Sequence, residues 1–305
     1  MKNIFFGARG LRSGWRLLLF VGIFVALGFL ANWMVHRIPT LSALTQLPFL
    51  HPFGLIYQEL EGLLLAGIPT WIMARIERRR LASYGIPLRN AFGRDFWVGI
   101  AWGLGATSAV VGSIAVFGGY RILGLAIHGD ELWYFTGLWI VANLLLGFSE
   151  EIQFRAYLLS TLAEGIGFWV AASVISLGFG ALHYFLKPYE RWEDFVSTAL
   201  LSFFLCLTLR RTGSLAFAIG FHAAFDFANL FVWSGQNAGQ FAIGRLLDTR
   251  WQGPQWLTGG PLGPEASWTV FPVIALMFGI FNRTYKDTKF PSIRTRGERP
   301  ESDPR

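Results

Sequence analysis

Six residues in three short runs carry chemistry that an apolar chain has no packing need for. Glu150, Glu151 and Arg155 lie within LLLGFSEEIQFRAYLLSTL; His183 ends the run FGALH; His222 and Asp226 bracket HAAFD. Apolar residues on both sides of the two glutamates argue for one helix running through them. On a helix Glu151 and Arg155 are four apart and share a face. Glu150 is turned by about 100° from Glu151. That division gives Arg155 to Glu151 as a buried ion pair and leaves Glu150 to accept a proton or meet an electrophile. His222 and Asp226 also share a face, with Asn229 on it at i+7. An aspartate so placed orients the imidazole or joins it on a metal. Each run has a plainer reading: a surface charge triplet, an interfacial histidine, a satisfied polar pair. Ionisable groups inside a membrane span are costly and usually face the protein interior. Three helices carrying such groups to similar depths therefore favour one shared site.

The elements that must position these groups are membrane helices. The chain has 305 residues, 53% hydrophobic and only 15% charged. Soluble domains carry roughly 25% charged residues, so a disordered, fibrous or ordinary water-soluble protein is excluded. The net charge of +7 does not point to nucleic acid, because the basic residues sit between apolar runs rather than in one patch. The single cysteine, Cys206, excludes a disulfide framework and a cysteine-built metal cluster. Twenty uncharged residues separate Arg16 from Arg37, enough to cross a hydrocarbon core of about 30 Å. Gaps of this kind predict eight helices, at about 15–36, 54–75, 96–119, 132–162, 166–186, 194–210, 213–234 and 266–283. The fold class is an all-α polytopic membrane bundle.

With the N-terminus inside, the inner segments hold nineteen Lys and Arg and the outer ones six, with Arg155 inside a span. The positive-inside rule then places both termini in the cytoplasm. The first apolar run has a basic flank like a signal peptide, but it is long and no small-x-small site follows it, so it reads as a retained helix. The 234–265 stretch, rich in Gly, Pro and Gln, reads as an outer loop. The organisation expected is membrane helices over 1–130, a catalytic core over 131–235, an outer loop and last helix over 236–290, and a basic polar tail over 291–305. At 1.5 Å per residue, Glu150, His183 and His222 lie roughly 18, 26 and 14 Å from the inner surface. They can meet near mid-membrane with His183 nearest the outer side.

Together the three runs resemble the CAAX-protease and bacteriocin-processing (CPBP, or Abi) family of intramembrane proteases. Its pattern is EExxxR, FxxxH, then HxxxN or HxxxD on successive membrane helices. Here these are Glu150-Glu151-xxx-Arg155, Phe179-xxx-His183 and His222-xxx-Asp226. The run Tyr84-Gly85-Ile86-Pro87-Leu88-Arg89 is similar to a short segment that precedes the domain in bacterial members. The resemblance covers about 132–234. It implies an intramembrane endopeptidase in which Glu150 is the general base on a water shared with His183. His222 and Asp226 then sit across the scissile carbonyl. Two versions follow: a metal-free one, and one in which a divalent metal such as zinc is held by Glu150, His183, His222 and Asp226. Asp226 stands where eukaryotic relatives have Asn, and a carboxylate is the better metal ligand. The partners implied are membrane lipids and a peptide or protein substrate, in a bacterial plasma membrane. The competing readings are a non-proteolytic scaffold, immunity or regulatory protein of the same fold, and a transporter. The last lacks paired, broken helices in two corresponding halves.

Overall fold

Helix positions follow the gaps between charges. The computed structural model describes residues 6–7, 10–186, 188–189 and 191–290. Lys2, Arg9, Lys187 and the tail 291–305 lie outside the described residues. A small ribbon, β1 (Phe6–Gly7) with β2 (Gly10–Leu11), precedes α1 (Ser13–Arg37). Then come α2 (Pro39–Thr45), α3 (Pro52–Ile76) and α4 (Arg94–Val116). α5 (Asp130–Glu151) runs through a π-helical turn, Ile152–Ala156, into α6 (Tyr157–Ile166). After α7 (Phe168–Leu186) and α8 (Trp192–Thr212), α9 (Ala216–Asp226) also continues into a π-helical stretch, Phe227–Val232. The last helix among the described residues is α11 (Val270–Thr284).

The expected helix through the glutamates is thus present, but it is not uniform. One π turn follows Glu151 and the other follows Asp226. Each widens the turn locally and re-aims the residues after it, and such turns recur at functional sites. Nothing in the apolar pattern marks them.

Among the described residues, five helical segments are long and apolar enough to cross a membrane: 13–37, 94–116, 130–166, 168–186 and 192–212. The apolar segments 216–232 and 270–284 are shorter. α3 is long, but it carries Glu59 and Glu61 and is not among the five. The eight expected spans coincide with eight helices, of which five meet this standard. α1 buries only Arg16 and Phe20 and exposes Leu18, Phe29, Leu30 and Trp33. That is the pattern of a helix whose solvent is lipid.

At the centre lies α9, most of it buried, with α4 and α5 packed closely against it. The contact with α4 needs glycine. A Cβ on Gly103 would lie 2.3 Å from the Phe221 carbonyl oxygen, and one on Gly220 would lie 2.2 Å from that of Phe96. Small residues let membrane helices approach backbone to backbone. Thr107 of α4 completes the contact by donating to the Phe225 carbonyl at 3.0 Å. His222 and Asp226 are thereby carried on the most tightly held helix in the bundle.

The 234–265 stretch, expected as a plain loop, is ordered. It contains β4 (Gln236–Asn237), β5 (Gln240–Phe241), β6 (Leu247–Trp251) and the short α10 (Gln255–Thr258). β4 pairs with β5, and β6 pairs antiparallel with β3 (Tyr120–Leu125), from Tyr120↔Trp251 to Leu125↔Leu247. Strand partners about 125 residues apart left no local signal. Burial pushes the Tyr120 hydroxyl up to about 12, which keeps it a donor to the Trp233 carbonyl at 3.0 Å.

Candidate active site

The i,i+4 pair read from the sequence is formed. Arg155 Nη1 donates to Glu151 Oε1 at 2.9 Å, and both side chains are fully buried. Arg155 Nη2 donates to Ser202 on α8 at 2.8 Å, and Ser202 donates in turn to Ser176 on α7 at 3.2 Å. The guanidinium also lies over the Phe179 ring, 4.8 Å from its centroid. Three helices thus share one cation, which fixes the end of α5.

Glu151 has a second partner that spacing could not give. Its Oε1 lies 2.9 Å from His222 Nδ1. The other ring nitrogen, Nε2, lies 3.5 Å from Glu150 Oε2 and 3.4 Å from Asp226 Oδ2. One imidazole therefore stands among three carboxylates. The side chains of Glu150, His222 and Asp226 remain 23%, 13% and 16% exposed, whereas Glu151 and Arg155 are at 0%. Glu151 and Arg155 orient the ring from behind, while Glu150, His222 and Asp226 face open space.

That space is a cavity of about 470 Å³, lined by Glu150, His183, His222 and Asp226 together with Phe154 and Phe179. His183 reaches it from α7. Its Nδ1 lies 3.0 Å from the Phe179 carbonyl oxygen, and its ring packs 4.5 Å from the Phe179 ring. All six residues singled out by type and spacing are therefore gathered at one cavity or directly behind it. Glu150 stands against His222 and also faces the cavity with His183.

Sequence reading passed over Glu59. It is a buried acid of α3 that lines the same cavity, and the Ser149 hydroxyl is within hydrogen-bonding reach of it. Glu150, His222 and Asp226 are all close enough to act on it electrostatically. The signal was available, since an acid in an otherwise apolar helix is the feature that drew notice to the other three runs. Glu265 was also missed. It lines the cavity and accepts from Asn229 Nδ2 at 2.8 Å.

Among the described residues, no three His, Cys, Asp or Glu groups are arranged to hold a metal ion. The carboxylates are instead turned onto the imidazole itself. The donor set expected for zinc is near one cavity but does not form a ligand cage.

A helical bundle with several membrane-length apolar helices and ionisable groups turned inward is a polytopic integral membrane protein. Residues 131–228 match the family model of Rce1-like type II CAAX prenyl endopeptidases. This is the CAAX-protease family that the three motifs resemble. The matched segment contains Glu150, Glu151, Arg155, His183, His222 and Asp226, and excludes Glu59 and Glu265. No curated protein matches the chain.

Proposed function

We propose that this chain is an intramembrane endopeptidase that hydrolyses a peptide bond of a membrane-associated substrate, with Glu150 activating water. Peptide hydrolysis needs a base for the water, a stabiliser for the oxyanion and an acid for the leaving amine. Glu150 is a carboxylate that faces the cavity, and its neighbour Glu151 neutralises Arg155 from a sealed position. Water placed between Glu150 and His183 loses a proton to Glu150 as it attacks the carbonyl carbon. His222 is held by Glu151 at Nδ1 and presents Nε2 to the cavity, where it can donate to the carbonyl oxygen as negative charge develops. Asp226 contacts that same nitrogen and aims it. Glu150 then returns its proton to the leaving nitrogen. Every step uses water and side chains of this chain.

The observation that carries this reading is the division of labour between adjacent glutamates, one sealed on arginine and histidine, the other open to the cavity. Nineteen of the basic residues fall on one side of the proposed topology and six on the other, which supports cytoplasmic termini; the assignment to a bacterial plasma membrane rests on the resemblance to bacterial members. A scaffold or immunity role for the same fold is the second reading. It is favoured by nothing in the cavity, which a scaffold does not need.

Glu150→Gln separates the two. It is nearly isosteric and removes the base alone. Loss of a general base costs roughly 10²–10⁴ in rate. A cleavage screen with membrane-anchored peptides should lose its signal in this variant, with thermal stability unchanged. If a cellular process that depends on the protein continues at full rate with both Glu150→Gln and His183→Ala, the protein is a scaffold.

A further inference from the structure

Resting on the peptidase reading for the word substrate, we propose that the cavity is entered from the end of the bundle opposite its basic end. Its substrates are then apolar peptide segments presented on the extracytoplasmic side.

The two ends are defined by contacts, independently of any count of spans. At one end Arg16 Nη2 meets Glu77 at 2.6 Å and Nη1 meets Glu164 at 2.7 Å, joining the starts and ends of α1, α3 and α6. The Leu215 amide donates to the Gly85 carbonyl at 2.8 Å, and the Lys289 amide donates to that of Arg210 at 2.9 Å. This end gathers the connections rich in Arg. At the other end the Ile243 amide donates to the Leu50 carbonyl at 3.1 Å, and Gly239 donates to Pro261 at 2.8 Å. Arg191 donates to Gln255 at 2.6 Å, and β3 pairs with β6 there.

The cavity belongs to the second end. Its lining reaches Phe49, Leu50, Leu186, Asn237 and Glu265, all in or beside that end's connections. Toward the basic end it stops at Arg155, Leu205 and Phe221. Among its described lining residues none comes from 76–93 or 208–216, the connections of the basic end. His183 lies one turn from Leu186, the last residue of α7, so the imidazole nearest the mouth is already near that end. Asn237 and Glu265 give the mouth polar groups, while Phe49, Leu50 and Leu186 give it apolar walls. Such a mouth suits a largely apolar segment that arrives partly from water. The excess of Lys and Arg at the opposite end holds that end in the cytoplasm. The mouth therefore faces out.

Cysteine accessibility tests this without any turnover. Cys206 is buried, and Cys206→Ser provides the background. Asn237→Cys and Phe49→Cys mark the mouth, and Arg80→Cys marks the basic end, where it is exposed. A membrane-impermeant maleimide is applied to spheroplasts and to inverted vesicles holding the full chain. The mouth cysteines should react in spheroplasts and Arg80→Cys only in inverted vesicles. Reaction of the mouth cysteines only in inverted vesicles overturns the proposal, and so does failure to react in both. Added Glu150→Gln should leave the labelling pattern unaltered. Outward labelling with no Glu150-dependent cleavage keeps the mouth and removes the peptidase. Cleavage confined to peptides presented from the cytoplasm removes the substrate side and keeps the peptidase.

Discussion

Among the described residues, the charge cluster at the basic end and the one at the cavity are built on opposite principles. At the basic end Arg16 and Arg79 face Glu77 and Glu164. The hydroxyls of Tyr84 and Tyr157 add hydrogen bonds to Glu77 at 3.2 and 2.5 Å. Burial, then the Glu77 carboxylate, pushes the Tyr84 hydroxyl above its usual range, so it stays a donor. Two cations meet two anions and the donors are matched. At the cavity Glu59, Glu150, Glu151 and Asp226 gather near one guanidinium and the His222 imidazole, with His183 lining the same cavity. Balance makes a clasp, whose task is finished once the helices are joined. An acid-rich centre around the His222 imidazole is open to polar groups of something that enters. The difference also separates positions where substitution should cost fold from positions where it should cost chemistry.

The severest test of that contrast is Arg155→Ala, since Arg155 belongs to the site by position and to the clasp by behaviour. It would remove the cation beside the fully buried Glu151 and leave that carboxylate on its contact with His222. Breaking a buried pair from one side costs about 3–5 kcal/mol, so the variant should be recovered poorly or melt well below the wild type in detergent. Glu151→Gln with Arg155→Gln should restore much of the stability. Activity should stay low in the double variant, because His222 Nδ1 then meets a neutral amide in place of a carboxylate. Full stability of Arg155→Ala would erase the distinction between sealed and open glutamates.

A smaller effect is expected at the clasp. Arg16→Ala removes charge-assisted hydrogen bonds to side chains that are mostly buried, and each such bond is worth about 1.5–3 kcal/mol. Partial exposure of Glu164 argues for the lower part of that range. The melting temperature should fall, with α1 the first element to exchange its amides, because beyond Arg16 and Phe20 it buries nothing. Activity per folded molecule should hold. A loss of rate without a loss of stability would mean that the clasp reaches the cavity.

How far the sequence revealed this depends on the range over which each feature is encoded. Helix positions were legible from gaps between charges, and the Glu151–Arg155 pair from its four-residue spacing, because both are local. The contact of Glu151 with His222 joins residues 71 apart and has no periodic signature. Glu59 was passed over for lack of a motif around it. Arg16 and Arg79 were counted as markers of sidedness, although each is also committed to a carboxylate across helices. The π turns after Glu151 and Asp226 depend on how neighbouring helices press on the chain, and the strands of 234–265 depend on a partner at 120–125.

The smallest effect is expected at Asp226, and it bears most directly on the chemistry of the acid-rich cluster. Asp226 approaches His222 Nε2 at 3.4 Å, a long contact beside the 2.9 Å bond that Glu151 makes to Nδ1. The ring is therefore held chiefly by Glu151. Asp226→Asn keeps the shape and an oxygen acceptor and removes one negative charge from a centre that has an excess of them. Positioning alone then predicts a change in rate of less than about tenfold, which is about 1.4 kcal/mol in the barrier, with stability equal or higher. A metal ligand behaves differently. Exchanging carboxylate for amide should lower bound metal and activity together, and added zinc should recover part of both. Metal content and rate measured on the same preparations distinguish the two. Parallel loss of both, with zinc rescue, would show that the carboxylates close on an ion that this arrangement of side chains does not provide for. Retained rate in a preparation without metal would leave Glu150 as the base and Asp226 as a support for the imidazole.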